Sequence, residues 1–380
     1  MIAAIWQGIL REIRYLSGQK WDLAMLLVVP ACILILLGSM FAQGKPSHLP
    51  IAIIDQDQSE LSQQIYHHLS LNHSLAIYAI TDQTLRAEQL LNQNKIWGYV
   101  HIPAGAEQRF VQAQDAEISI AFNQSYFSIG NTISNAMLSS SLNALAHFGR
   151  EGYLANRLPA LDAPTPNIKI SALYNPELNY ELYLEPYMVM AILHLLLCCC
   201  VAFSVGQELK RKTLQNWIGS SNLCIALLSK NVVYIAVFCF WTWLWMFWLI
   251  EVRGWFVAGS LGLILLGQIF LYSAYAFLSS AVVLATQDLS KSFGLLAVYG
   301  GSSLSFAGIT LPLNNAPLFT QLWANIIPYT PYAKLQTEQW VVGSPWHISL
   351  MPLMILFIYT VLYAALAYMF LKKVSREVSL

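Results

Sequence analysis

The chain has 380 residues, of which 57% are apolar and only 11% charged, and its 20 lysines and arginines balance 20 aspartates and glutamates. That composition excludes a disordered polar chain and marks an integral membrane protein with no overall acidic or basic pull on partners; nucleic acid is not an expected partner. The cysteines Cys32, Cys198, Cys199, Cys200, Cys224 and Cys239 all fall inside or at the edge of apolar runs. Their placement forms neither a disulfide framework nor a zinc site, and the Cys198–Cys200 triplet reads as small thiols packed in a helix.

Residues 1–20 carry Ile2, Ile5, Trp6, Ile9, Leu10, Ile13 and Leu16 at steps of three and four, opposite Gln7, Arg11, Glu12 and Arg14. A stripe beside a basic face predicts a helix lying in a membrane interface. Residues 21–43 follow as a first transmembrane helix, with its span at 22–42. The run is too long for a signal-peptide core and no small-x-small cleavage site follows it, so it is expected to stay as an anchor.

No further apolar span occurs for some 140 residues. Residues 44–184 instead alternate strand signals, at 48–54, 75–80, 96–102, 118–122 and 168–173, with helix signals at 59–71, 84–93, 104–112 and a long stretch from Ser128 to Tyr153. Alternation of this kind predicts an α/β domain with helices packed on a sheet. Within Asp55-Gln-Asp57-Gln-Ser59, either Asp57 or Ser59 is a natural helix N-cap, whereas a calcium loop would require more spaced oxygens and a glycine. Pro159, Pro164, Pro166 and Pro176, then Tyr180, Tyr183 and Tyr187, mark the return to the membrane.

Residues 185–380 hold five more apolar runs, at 186–206, 226–250, 257–285, 292–310 and 350–371. Each is close to the ~20 residues that a bilayer core requires. The predicted fold class is therefore an α-helical polytopic membrane protein with six transmembrane helices, one plus five, and an inserted extracytoplasmic α/β domain. With the N-terminus inside, the short inner segments hold Arg11, Arg14, Lys20, Lys210, Arg211, Lys212, Lys230, Lys291, Lys372, Lys373 and Arg376, and the short outer loops only Arg253 and Lys334. The positive-inside rule then places both termini in the cytoplasm and the α/β domain outside.

No phosphate loop, Gly-x-Ser-x-Gly elbow or His-Glu-x-x-His pair is present, so catalytic and metal residues are not expected. His194 reads as the only ionisable group well inside a span, and as a hydrogen-bonded packing residue rather than a proton relay. Between the second and third spans, Gln207–Trp217 forms a short amphipathic stretch with three consecutive basic residues, suited to transmitting a partner's motion.

Together these features resemble the membrane subunits of type-2 ATP-binding-cassette transporters, the exporter-like permeases with a large outer domain after the first span. The resemblance covers essentially the whole chain. It rests on the one-plus-five layout, on Ile51-Ala-Ile-Ile-Asp55-Gln-Asp57-Gln-Ser59, on Tyr174-Asn175-Pro176, on Glu208…Lys210-Arg211-Lys212-Thr213-Leu214, and on Ile326-Ile327-Pro328-Tyr329-Thr330-Pro331-Tyr332. Where the family usually has Glu-Arg-Glu-x-Gly-Thr, this chain lacks the second acid and the glycine.

The resemblance implies a permease in a bacterial inner membrane that exports an amphiphile, drug, lipid or polymer. It implies pairing with a second permease and with cytoplasmic ATPase subunits that hold the ATP and magnesium, and an optional periplasmic adaptor; this chain would carry no cofactor. Trp6, Arg11, Arg14, Glu208, Arg211, Thr213 and Leu214 would be ATPase-docking residues, on the N-terminal helix and a coupling loop at 207–222. Residues 311–346 would form re-entrant outer helices broken at Pro328 and Pro331. The competing reading is a non-transporting receptor or scaffold whose outer domain binds a ligand or partner.

Overall fold

The computed structural model describes residues 2–42, 44, 47–123, 127–149, 179–219 and 222–379. The chain divides into a helical unit, built mainly from Met1–Ala42 and Asn179–Leu380, and a second unit within Gln43–Ala172.

In the second unit, β1 (Leu49–Asp55), α3 (Glu60–Ser70), β2 (Leu75–Thr81), α4 (Thr84–Asn92), β3 (Gly98–Ile102), α5 (Ala106–Val111), β4 (Ser119–Phe122) and α6 (Phe127–Phe148) follow in order; here α1 and α2 denote Ile2–Gly18 and Lys20–Phe41 of the helical unit. The sheet order is β2-β1-β3-β4, with β1 parallel to both neighbours and β4 antiparallel to β3. A parallel central strand needs cover on both faces, and β1 has it. Ile51 and Ile53 face a core that includes Leu61, Ile65, Ile133 and Met137, while Ala52 and Ile54 face Ala87 and Ile96. At Gly98 a Cβ would lie 2.7 Å from the Ala121 carbonyl oxygen and 3.0 Å from Met137 Cε, so only glycine lets β4 and α6 approach β3 this closely.

Helix starts in this unit are fixed by capping. Ser59 Oγ accepts from Ser62 N–H and Ser62 Oγ accepts from Ser59 N–H, closing a capping box on α3. Asp57 caps a different helix: its carboxylate accepts from Gly105, Ala106 and Glu107 N–H at 2.7, 3.0 and 3.0 Å, at the start of α5. Burial pushes the Asp57 carboxyl up, but the Ser59 hydroxyl and these three N–H groups hold it below its usual value. The strand expected at 168–173, the Tyr174-Asn175-Pro176 turn and the prolines at 159, 164, 166 and 176 lie outside the described residues.

The helical unit continues with α7 (Tyr180–Tyr183), α8 (Glu185–Lys210), α9 (Leu214–Ile218), α10 (Leu223–Phe247, extended by a π-turn through Val252), α11 (Leu261–Thr286), α12 (Leu289–Gly301), α13 (Ser303–Phe306), α14 (Leu318–Ile326), α15 (Tyr329–Gln336, then a π-turn Thr337–Val342) and α16 (Trp346–Ser379). Among the described residues, five helices are long and apolar enough to cross a membrane: α2, α8, α10, α11 and α16. The expected fifth of the six spans, 292–310, is not one continuous helix. Gly300, Gly301, Ser302 and Ser303 are poor helix formers, and the 13-residue α12 ends there, roughly 20 Å long against a ~30 Å hydrocarbon core.

Burial adds two charges near the span ends to the expected His194: Lys230, near the start of α10, is 2% exposed, and Glu185, at the start of α8, is fully buried. His194 itself is a hydrogen-bonded packing residue: its Nδ1 lies 2.9 Å from Met190 O, its Nε2 3.3 Å from Ser303 Oγ, and its ring 4.2 Å from that of Tyr275. Large apolar side chains stay exposed along α2 (Leu27, Val28, Ile35, Leu36) and α16 (Met351, Met354, Phe357, Ile358), which suits lipid rather than water.

Candidate functional site

At one end of the helical unit, α1, the end of α8, α9 and the start of α10 converge on four charges. Approach of α1 to α10 depends on Gly8, where a Cβ would meet Ser229 Oγ at 2.3 Å. One turn further on, Glu12 is 4% exposed. Its Oε2 accepts from Lys230 Nζ at 2.8 Å and its Oε1 from Tyr234 Oη at 2.7 Å and Ser204 Oγ at 2.8 Å. Lys230 Nζ also reaches Glu208 Oε1 at 3.1 Å, and Arg11 Nη2 reaches the same oxygen at 3.1 Å. Thr213 Oγ1 donates to Glu208 Oε2, and Arg11 Nη1 donates to the Asn216 carbonyl.

Two carboxylates and two cations therefore balance, with Glu12, Glu208 and Lys230 nearly closed to solvent and Arg11 at the rim, its side chain 38% exposed. Burial pushes the Glu12 carboxyl up, but the Lys230 charge and the hydrogen bonds from Lys230, Tyr234 and Ser204 outweigh it and keep it below its usual value. Aromatic rings close the site: Lys230 Nζ lies 5.2 Å from the centroid of Trp217 and 5.8 Å from that of Tyr15, and the Arg211 guanidinium lies 5.7 Å from that of Tyr15. The Trp217 indole is fixed by donation to the Ala226 carbonyl at 3.1 Å.

Backbone geometry makes this possible. Lys212 adopts φ 57° after Arg211 caps α8, turning the chain so that Thr213 returns over Glu208, which explains why the segment tolerates no helical continuation. Asn222 then caps α10 through its Oδ1, which accepts from Cys224 N–H.

The seven residues singled out from sequence are brought to this one region, but they divide. Glu208 and Leu214 are buried, and Arg11 and Thr213 bond inward to Glu208, so these four hold the loop to α1. Trp6, Arg14 and Arg211 remain on the surface, with Trp6 joined by Leu10 and Ile13 on an exposed apolar edge of α1. Glu12, Ser204, Lys230 and Tyr234 escaped sequence reasoning. The available signal was a lysine inside an apolar run together with an acid at the centre of an amphipathic helix.

At the opposite end, residues 311–346 fold into α14 and α15 around a cavity of about 800 Å³. The break lies at Ile327, which is extended (φ −85°, ψ 123°), the conformation that a following proline favours, and Pro328 opens α15. Pro331 does not break the helix. It is the third residue of α15, where a missing N–H costs nothing. Leu182, Ile309, Leu313, Val341 and Ile355 give the cavity apolar walls, and Asn325, Lys334 and Glu338 bring polar groups to it. The π-turn at its edge is anchored by Gly259 and Ser260 N–H, which donate to Gln339 O and Oε1 at 2.8 and 2.7 Å. Among the described residues no group of three or more His, Cys, Asp or Glu could hold a metal.

The model of a protein family described as "ABC-2 family transporter protein" matches residues 20–369. No curated protein matches the chain.

Proposed function

The chain belongs to the ABC-2 family of transporter membrane proteins, and from that membership we propose that it is the permease subunit of an ATP-driven exporter of amphiphilic molecules. Family membership carries the transport role and, in general, an ATP-binding-cassette ATPase as partner. The observation that carries the coupling is the Glu12–Lys230–Glu208–Arg11 cluster, which makes α1, the 207–222 loop and α10 one mechanical piece.

In this reading α1 lies in the cytoplasmic interface with Trp6, Leu10 and Ile13 toward lipid or the ATPase, while Arg14 and Arg211 face acidic groups of that partner. ATP and magnesium bind in the ATPase. Its closure pushes on the locked piece, and α8 and α10 carry the displacement across the bilayer, biasing the bundle between two packings. Six crossings result if α12 and α13 together form a broken fifth span. The β-sheet unit then faces outward, both termini are cytoplasmic, and the membrane is a bacterial inner membrane. A second permease, homologous or identical, completes the pathway, and a periplasmic adaptor would meet the outer unit. The ~800 Å³ cavity, of the size that small-molecule sites show, supports an amphiphilic cargo because apolar walls and a few polar groups share one space.

The test is co-purification with a cytoplasmic ABC ATPase encoded beside it, followed by ATP hydrolysis and efflux assays in proteoliposomes. Stable assembly and hydrolysis that depends on this chain are expected. Failure of every such ATPase to bind, together with ligand capture by the outer unit, would instead establish the receptor reading.

A further inference from the structure

The far end of the helical unit contains a second buried charge arrangement that does not balance. Glu181 on α7 and Glu185 at the start of α8 lie about one helical turn apart in sequence, 2% and 0% exposed. Glu181 is fully matched: Arg253 Nε donates to its Oε1 at 2.6 Å and Trp255 Nε1 to its Oε2 at 2.9 Å. Arg253 also donates through Nη2 to the Ala42 carbonyl at 2.8 Å.

Glu185 is not matched. Trp245 Nε1 donates to its Oε1 at 3.0 Å, and its Oε2, although buried, has no partner among the described residues. The charged groups that act on it are Glu181, just before it in the chain, and Arg253, from the loop after α10. Trp245 is what α10 presents, and the π-turn after α15 contributes Trp340, stacked on Trp245 with ring centroids 6.3 Å apart and its own Nε1 buried without a partner among the described residues. Neither indole titrates. Tyr187 is tied to Thr337 at 2.7 Å, Glu338 accepts from Ser349 at 2.6 Å, and Glu251 on the first π-turn points to solvent.

Two carboxyl groups thus share one guanidinium, which is already committed to the first of them. A second ionised carboxylate here would be desolvated with a single donor and no cation of its own, the arrangement that buried ions avoid by taking up a proton. We propose that Glu185 is a proton-binding site of this protein, occupied in the conformation seen here, with Oε2 carrying the hydrogen. Release is a simple transfer. The O–H bond of the acid breaks as the proton passes to a water molecule entering from the far end, and the carboxylate left behind turns to Arg253 as Glu181 gains water. Opening of α7 and α8 away from α10 admits that water, so proton release and opening are linked, and the occupied site favours the closed end.

The site itself does not depend on the transport reading, and infrared spectroscopy of the purified chain in nanodiscs tests it directly. In a titration over roughly pH 5–9, the wild-type protein should show a carboxylic-acid carbonyl band at neutral pH that is absent from Glu185→Gln, an uncharged near-isostere expected to keep the fold. Arg253→Gln should add a second such band, because Glu181 then loses its cation. A band unchanged in Glu185→Gln overturns the proposal whether or not the chain transports anything. In the assembled complex, ATPase activity should change with pH in the wild type and lose that step in Glu185→Gln. Identical pH profiles for the two would overturn the link between proton and opening.

Discussion

Lys230 Nζ lies 2.8 Å from Glu12 Oε2, although 218 residues separate the two in sequence. This pair stitches the N-terminal helix to the core of the bundle, and Glu208 adds the connecting loop to the same knot. Because both partners are nearly dry, the arrangement is all-or-none: either every charge is matched, or one is stranded in low dielectric. Such a contact resists sliding of α1 along α10 and suits a part that must pass on displacement.

Removing one partner should be far worse than removing both. Glu12→Gln or Lys230→Met alone is expected to cost ~3–5 kcal/mol by leaving an uncompensated buried charge. Combined, the two changes should lose much less than the sum. Thermal denaturation of the detergent-solubilised protein, run as a double-mutant cycle, measures this; additive losses would show that the pair does not couple.

Gly8 should be intolerant of side chains while Ser229 stands opposite. Gly8→Val is expected to separate α1 from α10, because even a Cβ meets Ser229 Oγ at 2.3 Å. Overpacking of this kind costs about 1–3 kcal/mol. Gly8→Ala combined with Ser229→Gly should restore much of the stability and of the partner ATPase stimulation. Without that rescue, the close approach is not what Gly8 supplies.

The Asp57 cap should give the β-sheet unit an acid-sensitive edge. Its folded-state carboxyl titrates below the usual value because the N–H groups of Gly105, Ala106 and Glu107 favour the charged form. The stabilisation is therefore complete at neutral pH, present above the unfolded-state value of about 3.9, and lost as pH falls through the lower folded-state value. Asp57→Ala should lower stability by about 1 kcal/mol at neutral pH and flatten its acid dependence, read by hydrogen exchange of the α5 amides in the full chain. Unchanged exchange at residues 105–107 would refute the capping role.

Membrane sidedness has an equally direct readout. Asn92 and Gln215 are both exposed, so a cysteine at either position is sterically free to react. An impermeant thiol reagent applied to intact spheroplasts of a background lacking native cysteines should label a cysteine at position 92 and spare one at position 215. The reverse pattern would invert the proposed orientation.

Filling the cavity should separate transport from fuel use. Ile355→Trp places bulk in the ~800 Å³ space and should cut efflux by about tenfold or more, a loss of about 1.4 kcal/mol in cargo binding. Basal hydrolysis by the partner ATPase, whose docking is proposed at the opposite end of the unit, should persist. Undiminished efflux would exclude this cavity from the cargo path.

The sequence alone determined whatever depends on neighbours a few residues apart. Apolar length fixed the long helices, alternating patterns fixed the strands of the sheet within a residue or two, and Ser59 announced its helix start, because hydrophobic period and capping are local physics. The grouping of Glu208, Thr213 and Leu214 at one turn was legible for the same reason. Its inward direction was not.

Only the tertiary structure decided the rest. Whether Asp57 caps its own helix or one that begins 49 residues later at Ala106, whether 292–310 runs unbroken, and whether Pro331 interrupts a helix or sits in the first turn of one all depend on where the chain turns in space. The two acid–base clusters show the limit most sharply. Glu12, Glu181, Glu185 and Lys230 look in sequence like ordinary charges at the margins of apolar runs. Their meaning comes from burial beside partners up to 222 residues away, since the energy of a charge is set by the dielectric and the counter-charges that folding gathers around it.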